Sequence, residues 1–297
     1  MASAVRGSAA PGRGIAFTLL GGALLTANDA VLKWLSGDYP VGQLLFVRGL
    51  FVLLAISVIV WRSGGLAVIR INSFKAQSVR AGLAFTSGFL FISGLSFLPL
   101  ADAIAITFAG PLFVTALASP LLGEDVGWRR WLAVFIGLLG VMVMIRPTSE
   151  AVQWAALFPL AGSLSGALRD ITTRKISAHE TSMSILAFST TAVILFGLCT
   201  LPFGWSSVTL KDLGLMGLSG MFVGGAHFLL IERFRWAEAA LLAPFKYANM
   251  IWAIIFGFVL WGDLPDAWTF SGAGFVVVCG LYIVRREALT ARQRRLS

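Results

Sequence analysis

Residues 239–261, AALLAPFKYANMIWAIIFGFVLW, decide how the rest of the chain is read. The stretch is long enough to cross the ~30 Å hydrocarbon core of a bilayer, which takes about 20 apolar residues. It nevertheless holds Pro244, Lys246 and Asn249, none of which lipid tolerates facing outward. Pro244 removes the backbone hydrogen bond to the carbonyl of Ala240, so a helix is weakened two residues before the charge. An ammonium at this depth is costly and marks function by default. Lys246 therefore calls for a protein-lined, wet interior, and the fold follows from asking which other segments supply it.

The remaining composition agrees. Mean hydropathy is +0.86, 58% of the 297 residues are hydrophobic and 12% are charged. Such a chain is an integral membrane protein with no room for a folded soluble domain. Arg6 and Arg13 precede the first apolar run as in a secretory signal, but that run spans about 20 residues and contains Asn28 and Asp29, so it reads as an uncleaved first span. Cys199 and Cys279 lie in apolar runs and read as small core residues, and no metal-ligand spacing occurs.

Hydropathy predicts an all-α membrane fold of ten spans: 14–35, 41–61, 81–98, 102–122, 131–146, 154–174, 182–202, 213–233, 239–261 and 267–285. Of the 23 lysines and arginines, 18 fall on the N-terminal side of this arrangement. Only Lys33, Arg146 and Lys211 fall on the other, and Arg48 and Lys246 lie inside spans. That asymmetry places both termini in the cytoplasm and explains the net charge of +9 without nucleic acid. All tryptophans but Trp252 sit near span ends, as an interfacial belt requires.

Two halves resemble each other. A shift of 141 residues pairs Phe17 with Phe158, Leu19 with Leu160, Gly21 with Gly162, Asp29 with Asp170, Lys33 with Arg174 and Ser36 with Ser177. A shift of 140 pairs Trp128 with Trp268 and Gly140 with Gly280. The halves, 1–148 and 149–297, would each hold five spans. An odd number mounts them in opposite senses, the inverted-repeat plan of secondary transporters with a site near the midplane.

With the start of the fourth span (Pro99–Ile104), LLGE at its end (Leu121–Glu124) and APFKY in the ninth (Ala243–Tyr247), the chain resembles the drug/metabolite transporter superfamily. The likeness is to its EamA-type members over nearly the whole length, and among them to bacterial inner-membrane amino-acid exporters of the YddG kind. It implies a central cavity between spans one to four and six to nine, spans five and ten at the periphery, and alternating access.

Depth, at ~1.5 Å per residue, selects the candidate site. Asp29 and Arg48 lie at similar depth on consecutive spans, which predicts an intramembrane pair, either a helix clasp or an outer gate. Asp170, the repeat mate of Asp29, sits among Arg169 and Arg174 as a solvated or gate-closing charge. Lys246 and His227 share a depth. At about 100° per residue Lys246, Asn249, Met250, Trp252 and Phe256 span one broad face. That face, with Tyr247, can receive a ligand carboxylate at Lys246 and an apolar or aromatic body beside it. The alternative is that Lys246 pairs with Asp29 or with carbonyls freed by Pro244, and that Trp252 and Tyr247 are packing aromatics.

No P-loop, paired-histidine metal motif or nucleophile elbow occurs, so neither ATP hydrolysis nor enzyme chemistry is encoded and no cofactor is expected. The expectation is a secondary transporter of the bacterial inner membrane, monomer or weak homodimer, whose partners are the lipid bilayer and a small-molecule substrate. Export of amino acids, aromatic and hydrophobic ones included, or of related metabolites is the first reading. A riboflavin or nucleotide-like carrier is the second.

Overall fold

A computed structural model describes residues 11–62, 65, 69–123, 127–145, 153–176, 179–233, 236 and 242–296. The expected boundary between halves at 148/149, Glu124 of the LLGE motif and residues 239–241 lie outside them. Among the described residues every regular element is helical. The helices are α1 (Pro11–Leu35), α2 (Val41–Arg62), α3 (Phe74–Leu95), α4 (Leu100–Thr107), α5 (Gly110–Leu122), α6 (Trp128–Ile145), α7 (Gln153–Ile176), α8 (Ser182–Leu198) and α9 (Leu210–Glu232). A 3-10 segment, Ala243–Ala248, then leads into α10 (Asn249–Trp261), and α11 (Ala267–Leu296) closes the chain.

Ten rods result, since α4 with α5, and the 3-10 segment with α10, each make one. The fourth rod breaks where Phe108 turns its N–H back to Ala105 and Ile106 and where Pro111, at the start of α5, has no N–H to continue the ladder. Among the described residues, eight of the ten expected spans are long and apolar enough to cross a membrane. The two that fall short are α7, whose second half holds Arg169, Asp170, Arg174 and Lys175, and Phe245–Trp261, which is shorter. The third helix begins at Phe74 and not near residue 81, so Arg80 lies inside it.

Water does not drive helices together in lipid, so close approach must come from small residues. The α6–α11 crossing shows it: a Cβ on Gly140 would stand 2.9 Å from the carbonyl oxygen of Gly272. Where α3 crosses α7, a Cβ on Gly162 would stand 3.1 Å from the Ser87 carbonyl and 3.3 Å from the Phe91 nitrogen. Large apolar side chains that remain exposed, Leu54, Phe135, Leu157 and Val278 among them, form the outer surface that lipid covers. Trp34, Trp61, Trp128, Trp131, Trp154 and Trp268 are exposed at helix ends, as the belt predicts.

Extensive packing joins α1 to α9, α3 to α7, α2 to α8 and α6 to α11. Lesser contacts join α2 to α9, α3 to α8, α5 to α7 and α1 to α10. The face at which α1 begins is here the terminal face, and the one at which it ends the far face.

Candidate functional site

Two packed groups are here called walls: α1 with α9 and the 3-10 segment, and α3 with α7. At the far face they meet. Lys33, at the end of α1, donates to the carbonyl of Leu98 at 2.6 Å and to that of Leu95 at 3.4 Å, where α3 ends. Its ammonium also lies 5.3 Å from the centroid of the Trp261 ring. The reciprocal pair Gln43–Ser206, at 2.6 and 3.0 Å, ties the start of α2 to the α8–α9 connection there. Toward the terminal face α1 still packs on α9 and α3 on α7, but among the described residues α7 and α9 do not pack closely on one another.

The side chains between the walls follow from local geometry. Pro244 falls in the first turn of the 3-10 segment, where a missing N–H costs least. Lys246 is exposed and makes no hydrogen bond or ion pair with the described residues, Asp29 included; the Ala240 carbonyl lies outside them. The charges bearing on it are those of Arg233, Asp170 and Arg174. His227, on α9, is also exposed. Its Nδ1 donates to the Val223 carbonyl at 2.8 Å, which leaves Nε2 as the free acceptor, and Arg48, Arg169 and Arg80 bear on it.

The rest of the expected face disperses. The Asn249 amide oxygen is packed against Gly22 of α1, at the spot where any Cβ would stand. Met250 turns into the core that α4 shares with α6 and α11. The Tyr247 hydroxyl fills the space over Gly280 of α11, and its ring meets Phe108 edge-on at 5.1 Å. Trp252 is half-buried, and its indole N–H has no hydrogen-bond partner among the described residues.

Asp29 and Arg48 are joined, but not directly. Arg48 donates to the Asn28 side-chain oxygen at 3.3 Å, Ser219 of α9 donates to the same oxygen at 2.6 Å, and the Asn28 amide donates to Asp29 at 2.9 Å. Asn28 thus inserts between the two charges and brings in a third helix. Asp170 accepts from Nε and NH2 of Arg169 at 3.0 and 2.9 Å.

Sequence reasoning missed Arg80, counted as a loop residue because the third span was started after it. Its Nε donates to Thr173 of α7 at 2.7 Å and its NH1 to Ser189 of α8. An arginine preceded by the polar run Asn72–Gln77 was the available sign that the helix began early. At the terminal face Glu180 accepts from the backbone N–H groups of Asn72 and Ser73 at 2.9 and 2.7 Å. Gln77 donates to its other oxygen at 2.9 Å, and Ser184 does so at 3.3 Å. Burial raises this carboxyl, but the hydrogen bonds outweigh it and hold Glu180 below the ordinary glutamate value. Cys199 is exposed, Cys279 buried, and both are free thiols.

A bundle of helices long and apolar enough to cross a membrane, with charged side chains within several of them, defines a polytopic membrane protein. Residues 12–146 match the EamA-like transporter family. It is 26% identical over 274 residues to an S-adenosylmethionine uptake transporter of Rickettsia bellii, covering 92% of this chain and 94% of that one. It is 27% identical over 283 residues to a riboflavin transporter of Rhizobium johnstonii, covering 94% and 91%. It is 23% identical over 280 residues to a pseudopaline exporter of Pseudomonas aeruginosa, covering 92% and 96%. A solved crystal structure shares the fold, with a TM-score of 0.63 at 19% identity over 91% of this chain and 98% of that one.

Proposed function

We propose that the chain is a secondary transporter that carries a small organic metabolite across the bacterial inner membrane, both termini cytoplasmic, by alternating access of two inverted halves, 1–148 and 149–297. The observation that carries this reading is Lys246: an exposed ammonium, without a hydrogen bond to the described residues, in a segment that continues into the apolar helix α10. Lipid would not accept that charge, whereas a water-filled solute cavity does. The packing supports inversion. Exchanging rods one to five with six to ten turns the α1–α9 pair into α7–α3, α2–α9 into α8–α3 and α1–α10 into α7 with α4 and α5, and all of these are packed. Gly21 and Gly162, matched in sequence, are the close-approach residues of the exchanged crossings α1–α9 and α3–α7. The symmetry fails where α1, α2 and α4 also touch α3, while α7 and α8 do not pack closely on α9. That difference is the one expected of a carrier closed at the far face, by Lys33, and open toward the cytoplasm.

Amino acids or related metabolites with a carboxylate suit Lys246. Riboflavin or a nucleotide-like metabolite is the second reading, favoured by the riboflavin transporter among the relatives. Flux in either direction follows the gradient. Protein in liposomes, loaded with a panel of radiolabelled amino acids and flavins, tests this. Lys246→Ala should abolish carboxylate-dependent exchange and leave the folded yield intact. Exchange by that variant at the wild-type rate removes Lys246 from the site.

A further inference from the structure

Where α2 ends, the outer surface is cut by a cavity of about 430 Å³, lined by α2, α8 and residues of the connection to α3. Leu53 and Thr191 are its residues farthest from the terminal face, each nine residues from the helix end there. At ~1.5 Å per residue the cavity reaches about 13 Å from that end toward the membrane middle. Ser57, Trp61, Ile71 and Thr191 in its lining are exposed, so it opens outward. Its two hydroxyls are already spent along their own helices: Ser57 donates to the Leu53 carbonyl at 2.8 Å and Thr191 to that of Ala187 at 2.9 Å. What they leave is an apolar slot.

Charge gathers at the mouth. Arg62 follows the lining residue Trp61 as the last residue of α2, and Arg70 stands between the lining residues Ile69 and Ile71. Both are exposed, and no described residue pairs with either. Lys75, in the first turn of α3, is a third exposed cation. The sequence has no acid between Arg62 and Lys75. Glu180, which packs against Asn72 and Ser73, has both oxygens engaged in hydrogen bonds.

We propose that this groove seats one acyl chain of an anionic phospholipid, whose phosphate is held at the mouth by Arg62 and Arg70. The slot alone would take the chain of any phospholipid. The two guanidinium groups select the headgroup, because they receive phosphate oxygens in bidentate fashion and basic residues beside a membrane attract anionic lipid. A zwitterionic headgroup brings its own cation and answers them less well. A second copy of the chain fits poorly, since a two-fold contact centred here would set these arginines against their own copies. The site lies on the outer surface and does not depend on which solute is carried.

Native mass spectrometry of the purified full chain, released from detergent, counts the lipids bound. The probes are dioleoyl phosphatidylglycerol and dioleoyl phosphatidylcholine, alike in their chains and different in net charge. The first phosphatidylglycerol should bind at a concentration at least tenfold below the first phosphatidylcholine. Arg62→Gln and Arg70→Gln should each weaken phosphatidylglycerol about fivefold and leave phosphatidylcholine unchanged. Ser57→Trp and Thr191→Trp fill the groove from exposed positions and should each weaken both lipids at least tenfold. Arg129→Gln removes the same charge from the same face on α6 and should change neither. Equal binding of the two lipids, a loss in Arg129→Gln as large as that in Arg70→Gln, or undiminished phosphatidylglycerol binding in both tryptophan variants overturns the proposal. So does a wild-type protein that is dimeric on size exclusion and takes up neither lipid, which would give the groove to a second copy.

Discussion

Replacing Glu180 with alanine removes the acceptor that holds the start of α3 to the α7–α8 turn. The carboxylate is 7% exposed and accepts four hydrogen bonds. A hydrogen bond to a charged group contributes about 1.5–3 kcal/mol, so a plain sum would be large. Two of the donors, the N–H groups of Asn72 and Ser73, belong to exposed residues, and water replaces the carboxylate there. Gln77 and Ser184 are 1% and 0% exposed and have no such replacement, although they keep their own bond at 2.9 Å. The net loss is then about 2–3 kcal/mol. At an unfolding entropy of about 2.1 cal/mol/K per residue, the melting temperature should fall by about 3–5 °C, read by thermal unfolding in detergent. The pH dependence has a definite sign. The folded carboxyl sits below its ordinary value of 4.5, so its contribution is complete above that pH and is lost as the pH falls through the lower folded value. Glu180→Ala should therefore converge with the wild type in acid and diverge from it at neutral pH. Equal melting temperatures at pH 7 would refute the clasp.

Three further outcomes follow from the packing. Asn28→Ala should cost about 2–4 kcal/mol, because Asp29 and Arg48 lose their bridge inside the bundle, and a double-mutant cycle of Asn28 with Ser219 should show coupling. Gly162→Leu should cut the yield of monodisperse protein on size exclusion, since backbone atoms of α3 occupy the space its side chain needs. Tyr247→Phe should leave solute exchange within twofold of wild type, because the hydroxyl lies over Gly280 and not in the gap; a large loss would return Tyr247 to the site.

The order of rods and the small-residue crossings were legible in the sequence because hydropathy and glycine placement register directly along the chain. Depth was legible for Asp29 with Arg48, matched by counting residues from span ends and joined through Asn28. Rotation was not. The face assigned to Lys246, Tyr247, Asn249 and Met250 assumed 100° per residue, whereas Ala243–Ala248 is wound as a 3-10 helix. There residues three apart eclipse one another, which turns Tyr247 toward α11 and changes which neighbours Lys246 shares a face with. The Asn28 bridge was hidden for a related reason, since counting depth gives no information on which of two adjacent polar residues points at Arg48.

Lys33 at the far-face closure has one more consequence. A carrier that opens to one compartment at a time must not let protons or sodium ions slip through with each cycle, or the cell's electrochemical gradients would drain. An ammonium anchored by the Leu98 carbonyl and lying beside Trp261, with the carboxylates of Asp263 and Asp102 bearing on it, puts fixed charge of both signs into the closure. On the proposed transport reading, a small ion passing there would have to displace these fixed partners in a poorly screened setting, so the plug opposes leakage by its charges as well as by its fit.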